Sequence, residues 1–337
     1  MAQPNLLYTP EASYNAQGCG VSPAWRPGAP VPAPVARAAG AWFPSTGRFY
    51  VLGGRGADTP GTEHLAPYAY DPQSHIWLTA STTFDDARVN NLVAGVLAGP
   101  DGPRIYTVGG SQAGVLTTTS AVRVYDPIND MLTVLASDPW PGNPTQDALP
   151  GGAAVVNNKL YVLGGYRPGI ATLDTIWEFD PNRPAGARWA LMPVTLLVGL
   201  MHIPATAIDN VIYTAGGVIW DGATFVDTQY AYRYDPAAQT ITALADVPRP
   251  SSETGAVTVG GKLWLLGGGF AAPTNAIEIY DPATNTWSAG LPFATARRMA
   301  AADVDPATGR LFIAGGYAHA DITGSLEMFV PETPCGR

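Results

Sequence analysis

Lysine is almost missing from this 337-residue chain, which carries only Lys159 and Lys262; its other basic residues are arginines. Charged residues make up 13% of it, about half the usual share, and the formal net charge is -9. No basic run or stripe occurs, which excludes a nucleic-acid groove. The acidity is spread thinly and serves solubility. No apolar run approaches the length of a bilayer-spanning helix, so no membrane insertion is expected. Met1-Ala2-Gln3-Pro4 leads straight into polar chain with no visible export leader. Either the protein is cytosolic or such a leader has been removed. Motifs for several chemistries are absent as well. No histidine pair has zinc-ligand spacing, no glycine-rich loop opens a helix as a phosphate cradle, and Gly-x-Ser-x-Gly does not occur. No cofactor or bound metal is expected. A one-metal cup of His202, Asp147 and Glu253 is the weaker reading of the only suitable side chains.

Glycine (38) and proline (32) are plentiful, and they are ordered. The stretch Ala153 to Trp189 holds an apolar run, a short polar turn, a second run ending in Gly164-Gly165, a long loop, a third run closing on Phe179-Asp180-Pro181, and a lone Trp. The runs have strand length and β-rich content, and Gly, Pro, Asn and Asp punctuate them. The pattern recurs. Double glycines begin at Gly53, Gly109, Gly164, Gly216, Gly267 and Gly315, with separations by subtraction of 56, 55, 52, 51 and 48. Closers follow at Tyr70-Asp71-Pro72, Tyr125-Asp126-Pro127, Phe179-Asp180-Pro181, Tyr234-Asp235-Pro236 and Tyr280-Asp281-Pro282, with a worn sixth at Phe329-Val330-Pro331. A fourth-strand residue comes next: Trp77, Leu132, Trp189, Ile241 and Trp287.

Four strands per unit and a period near fifty residues resemble the kelch repeat family over nearly the whole chain. The resemblance implies an all-β, six-bladed propeller with four antiparallel strands per blade, spanning 1–337 as a single domain. Residues 1–22 are then an N-terminal arm, 23–35 supply the closing outer strand of blade six with Ala24-Trp25-Arg26, and blades one to six occupy 37–331. Ring closure brings Cys19 and Cys335 to one blade edge. A disulfide there is expected, worth roughly 4–5 kcal/mol by the chain-entropy model. It argues for an extracellular or periplasmic setting, and the chain resembles uncharacterised bacterial secreted kelch proteins in phrases such as FYVLGGR and YDPATNTWSAGLPFATARR. No cysteine lies near a Tyr-rich channel, so the copper-radical site of galactose-oxidase-type kelch enzymes is excluded.

Long loops follow the glycine pairs, and long loops tend to carry function. The working face is therefore placed at these loops and at the residues leading into the innermost strands: Arg37, Asn90 with Asn91, Asp147, His202, Glu253 and Arg298. His202 and Glu253 lie fourteen residues before their glycine pairs and Arg37 sixteen, an even difference that keeps the three on one strand face. In kelch propellers this position often carries Arg, which Arg37 and Arg298 match. From the loops, Arg55, His64, Tyr166, Arg167, Trp220, Tyr317 and His319 are placed to reach over the cup, while Trp140 in the 137–152 connection looks exposed. Such a cup suits a carboxylated or polyhydroxylated molecule, since Arg grips carboxylates with paired bonds and Asn and Asp bond hydroxyls. The plain alternative is a wet channel lined by polar groups. Three functions fit. The first is a monomeric propeller that binds a glycan, a sugar acid or a protein partner at the loop face. The second is an enzyme resembling the six-bladed sialic-acid mutarotases, with Glu253, and with it His202, as candidate acid–base groups and Arg37 or Arg298 as carboxylate anchor. The third is a structural surface module.

Overall fold

The computed structural model describes residues 22–115 and 117–332. They form strands and turns, with no helix among them. Blade one is built from Ala39–Phe43, Arg48–Leu52, Tyr68–Asp71 and Ile76–Thr79, and blade two from Val93–Gly99, Gly102–Val108, Val122–Asp126 and Met131–Val134. Blade three has Leu149–Val156, Lys159–Arg167, Ala171–Phe179 and Trp189–Leu191, and blade four has Ala205–Ile208, Val211–Ala215, Ala231–Asp235 and Thr240–Ala243. Blade five contains Gly255–Val259, Lys262–Gly268, Thr274–Asp281 and Thr286–Ala289. Blade six runs Ala301–Asp305, Arg310–Ala314 and Leu326–Val330, and its outer strand is Ala24–Gly28 from the other end of the chain. Every pairing is antiparallel, and each inner strand adjoins the inner strands of both neighbouring blades, that of blade six meeting that of blade one. Six sheets thus close into a ring around a channel.

Local chemistry explains the strand ends. Asn157-Asn158, Asp209-Asn210 and Gly260-Gly261 each put two consecutive residues at positive φ, the geometry of the tight turns that match strand twist. The Asp of each aromatic-Asp-Pro closer caps the next turn: Oδ1 of Asp71, Asp126, Asp180, Asp235 and Asp281 accepts the N–H two residues on, at 2.9–3.0 Å. The glycine pairs are a steric requirement. A Cβ at Gly216 would lie 1.9 Å from the Ser251 carbonyl oxygen, and one at Gly53 would lie 2.3 Å from that of Val89. The next blade's lead-in crosses there with no room for a side chain.

The core is divided into slabs between blades. Tyr70 and Trp42 of blade one pack with Phe312 and Met328 of blade six; Tyr50 packs with Tyr125, and Tyr161 with Tyr234. The closer aromatic faces the fourth-strand residue in every blade: Tyr70 with Trp77, Tyr125 with Leu132, Phe179 with Trp189, Tyr234 with Ile241, Tyr280 with Trp287, and Phe329 with Trp25. The last pair is the ring closure expected from the sequence.

Three expectations are corrected. Blade three has no long loop after its glycines, because the second strand runs through Gly164-Gly165 to Arg167 across a bulge and returns at Ala171. In blades four and six the loops fold into hairpins of their own, Val218–Trp220 with Phe225–Asp227 and Tyr317–Ala318 with Asp321–Ile322. Trp140 is 1% exposed and wedged between blades two and three. Cys19 and Cys335, and with them the proposed disulfide, lie outside the described residues.

Candidate functional site at the channel mouth

One residue per blade leads into the channel. In five blades it is a non-glycine residue at positive φ: Arg37 (61°), Asn91 (57°), His202 (50°), Glu253 (53°) and Met299 (55°). The left-handed region costs a side-chain-bearing residue about 1–2 kcal/mol, and such strain gathers at working sites. In blade three the same place, opposite the second glycine of its pair, is held by Pro150. These six residues line a cavity of 190 Å³ at the head of the channel.

The kink turns main-chain groups toward the neighbouring blade. Met299 N–H donates to the Glu253 carbonyl (2.7 Å), Arg37 N–H to that of Met299 (3.0 Å), and Asn91 N–H to that of Arg37 (3.0 Å). A hydrogen-bonded belt therefore runs across blades five, six, one and two.

Side chains gather above the belt. Glu253, whose side chain is 1% exposed, is ion-paired with Arg298, and its other oxygen lies 3.8 Å from His202 Nε2. Arg298 stacks on the rings of Tyr317 (4.8 Å) and Phe270 (5.5 Å), and Arg37 lies over the same Tyr317 ring at 5.7 Å. The Tyr317 hydroxyl donates to Asp58 and accepts from Arg55 Nε (3.1 Å) and a terminal guanidinium N–H (2.8 Å); Arg55 in turn pairs with Asp58. Partial burial opposes ionisation of Asp58, but the Tyr317 bond and the charges of Arg55 and Arg37 together hold its carboxyl below the ordinary range. Burial, reinforced by Arg37 and Arg298, pushes the His202 imidazole down to about 3, so it is neutral at physiological pH. Arg37 donates to the Asn91 side chain at 2.9 Å, its Nε is buried without a partner, and it has no carboxylate partner among the described residues.

Of the residues singled out in the sequence, Arg37, Asn91, His202, Glu253 and Arg298 come together. Asn90 is fully buried one residue outside the cup and bonds the Ser111 carbonyl. Asp147 is not at the mouth. Blade three's inner strand begins two residues later at Leu149, so Asp147 stays in the connecting loop, paired with Arg167 and capped by Thr145. That removes both Asp147 and Arg167 from the cup, and no His202–Asp147–Glu253 trio is assembled. Arg298 stands one residue before the lead-in position, which Met299 fills. Arg55 is buried in the Tyr317 network. His64 is tied to the Pro34 carbonyl and Tyr68. Trp220 packs on Phe225 (4.8 Å) and Tyr166 (6.3 Å), stapling its own hairpin, and His319 is an exposed turn residue at positive φ. Sequence reasoning missed Asp58, Phe270, Met299 and Pro150. Only Pro150 left a readable signal, the one imino residue among six equivalent lead-ins.

A family profile described as "Kelch motif" matches residues 149–183 and 250–290, most of blades three and five. Curated relatives include Kelch-like protein terF of Aspergillus terreus (26% identical, covering 43% of this chain and 34% of that protein) and Kelch-like protein 25 of Xenopus tropicalis (23%, covering 72% and 38%). Another is Kelch repeat and BTB domain-containing protein 13 of Homo sapiens (30%, covering 46% and 33%). The chain thus spans about a third of the length of the curated relatives it matches. Among solved structures, the protein titled "Structure of YjhT" superposes with a TM-score of 0.69 over 89% of this chain and 96% of that one, at 16% identity, a likeness of fold. Kelch propellers commonly mediate protein interactions.

Proposed function

We propose that this six-bladed kelch-repeat propeller is a binding module whose channel mouth takes one small carboxylated, hydroxyl-bearing molecule of the sugar-acid class. The observation that carries this reading is Arg37. It is a guanidinium in the cavity wall, oriented by Asn91 and the Tyr317 ring, with a buried unpaired Nε and no carboxylate partner among the described residues. A ligand carboxylate supplies the missing partner through paired charge-assisted bonds. Arg298 is already engaged by Glu253 and serves the wall rather than the ligand. The cavity, 190 Å³, is below the ~300–1,000 Å³ of drug-sized pockets and suits a single sugar ring. The protein acts as a monomer in an oxidising compartment, and 1–337 works as one domain.

Titration calorimetry with glucuronate and galacturonate, against glucose, tests this. Uronates bind, glucose does not, and Arg37→Gln weakens uronate binding by about tenfold or more, the loss of one charge-assisted pair. Uronate affinity untouched by Arg37→Gln would sink the assignment.

A second reading, acid–base catalysis on the same ligand, is favoured by one contact: the Glu253 carboxylate lies in the cavity wall beside a neutral imidazole. It requires that the protein accelerate anomer exchange of a uronate and that Glu253→Gln abolish the acceleration.

A further inference from the structure

The belt at the channel mouth is incomplete, and the gap has one location. In five of the six junctions the second glycine of a blade's pair donates its N–H to the next blade's lead-in: Gly54 to Val89, Gly165 to Leu200, Gly217 to Ser251, Gly268 to Arg297 and Gly316 to Val35, at 2.7–2.9 Å. At the junction of blades two and three, Gly110 makes no such bond among the described residues. The inner belt breaks at the same place. Pro150 has no N–H to offer the Asn91 carbonyl, and blade three's lead-in is extended instead of kinked. The gap extends past Pro150: the main-chain N–H groups of His202 and Glu253 stand where those of Met299, Arg37 and Asn91 are bonded, yet among the described residues neither has a hydrogen-bond partner, and neither has the Asn91 or His202 carbonyl. The His202 imidazole is also without one among the described residues, with the Glu253 carboxylate 3.8 Å away. Along half of the ring the lead-ins bond one another, and along the other half Asn91, His202 and Glu253, which line the same cavity, leave main-chain donors and acceptors unbonded among the described residues.

We infer that the mouth reads a two-ended ligand, with the carboxylate at Arg37 and hydroxyl groups at the far end bonded by the main chain of the open arc: His202 N–H, Glu253 N–H and the Asn91 and His202 carbonyls. This rests on the sugar-acid reading and adds that hydroxyls opposite the carboxylate determine specificity, with Pro150 as the positioning residue that keeps the arc open. Hydroxyls suit this arc because each one donates and accepts, as the unpaired set requires. Bare carbonyls repel a second carboxylate, so dicarboxylates are poor ligands.

The test uses ¹⁵N-labelled protein with two probes of one size, galacturonate and cyclohexanecarboxylate. Galacturonate shifts the His202 and Glu253 amide resonances and binds about tenfold tighter or more, the worth of one or two added hydrogen bonds. Cyclohexanecarboxylate binds weakly through Arg37 and leaves both amides in place. Pro150→Gly, which restores an N–H and permits the kink, closes the arc, lowering galacturonate affinity toward that of cyclohexanecarboxylate without altering the latter. Equal affinities for the two probes, or tight galacturonate binding with both amides unmoved, overturn the inference and leave the Arg37 reading standing. Failure of both probes to bind overturns the reading and the inference with it. The two wild-type measurements decide the matter even where the Pro150 variant does not fold.

Discussion

Asp303 sits on the inner strand of blade six, in the wall of the channel, where its carboxylate accepts the main-chain N–H of Trp42 in blade one (2.6 Å) and of Val304 (2.8 Å). Both bonds favour the anion, but burial outweighs them and raises the group from 3.8 to about 6. Folding therefore makes Asp303 hold a proton that the unfolded chain releases. Its favourable contribution is complete below pH about 4 and is lost as pH rises through about 6, up to about 3 kcal/mol for a shift of this size. Urea midpoints of the wild type should fall between pH 4 and 6 relative to Asp303→Asn and then run parallel above. Curves parallel throughout would contradict the assignment. The depressed His202 acts in the opposite sense, costing stability as pH falls below its unfolded value of 6.5, but it is present in both proteins and cancels from the comparison. At this scale the sequence was only half legible. Residue types at the mouth could be read, but their partners could not. Arg298 is spent on Glu253 and Arg55 on Tyr317 and Asp58 through contacts 45, 262 and 3 residues apart in the chain, and no spacing rule encodes the longer two.

Strand-level repetition hides a charge motif. In blades five and six an arginine in the lead-in, Arg249 or Arg297, pairs with a glutamate on the third strand, Glu278 or Glu327. It also reaches the carbonyl of the blade's first glycine, Gly267 or Gly315. Blade two keeps the pair and exchanges the ends: Arg123 on the third strand meets Asp85 and Asp86 in the lead-in and still touches the Gly109 carbonyl. Arg297 is completely buried, and Glu327 additionally accepts N–H bonds from Ala294 and Thr295. Removing one member strands a buried charge. Arg297→Met should cost about 3–5 kcal/mol in chemical denaturation, and adding Glu327→Gln should recover part of it; a near-neutral single variant would mean that water reaches the pair. Blade three shows why element boundaries defeated the spacing argument. Counting back seventeen residues from Gly164 lands on Asp147, as it lands on Arg298 from Gly315, but blade three's second strand continues past its glycines to Arg167 and draws its partner out to Leu149. Asp147 is thereby left beyond the strand's end, beside Arg167.

For the ring as a whole, the sequence was much more informative, because the signals are redundant: six glycine pairs, five intact closers, and a fourth-strand residue that follows the closer aromatic by seven positions in blades one, two, four and five and by ten in blade three. Four indoles add a bond that the pattern implied but did not reveal. Trp77, Trp189, Trp287 and Trp25 each donate Nε1–H to a carbonyl of the connection leading into their own blade, those of Ala29, Asp138, Ala245 and Leu291, at 2.7–3.0 Å. In blade six this bond joins residues 266 apart, so Trp25 latches the two ends of the ring. Trp25→Ala should then destabilise the whole protein in one transition by about 2–4 kcal/mol, comparable to Trp287→Ala. Scanning calorimetry that showed blade six melting separately, or no loss at all, would contradict a latched ring.

That latch also makes the chain's starting point a matter of convenience. Ala24 lies directly across from Val330, and the tight turn at Gly260-Gly261 in blade five is open on all sides, with nothing near where its side chains would be. Splicing the old ends through a short linker and cutting at that turn yields a circular permutant with the same six sheets. Its seam is moved to blade five, and a fusion partner can be displayed there, on the face opposite the cup.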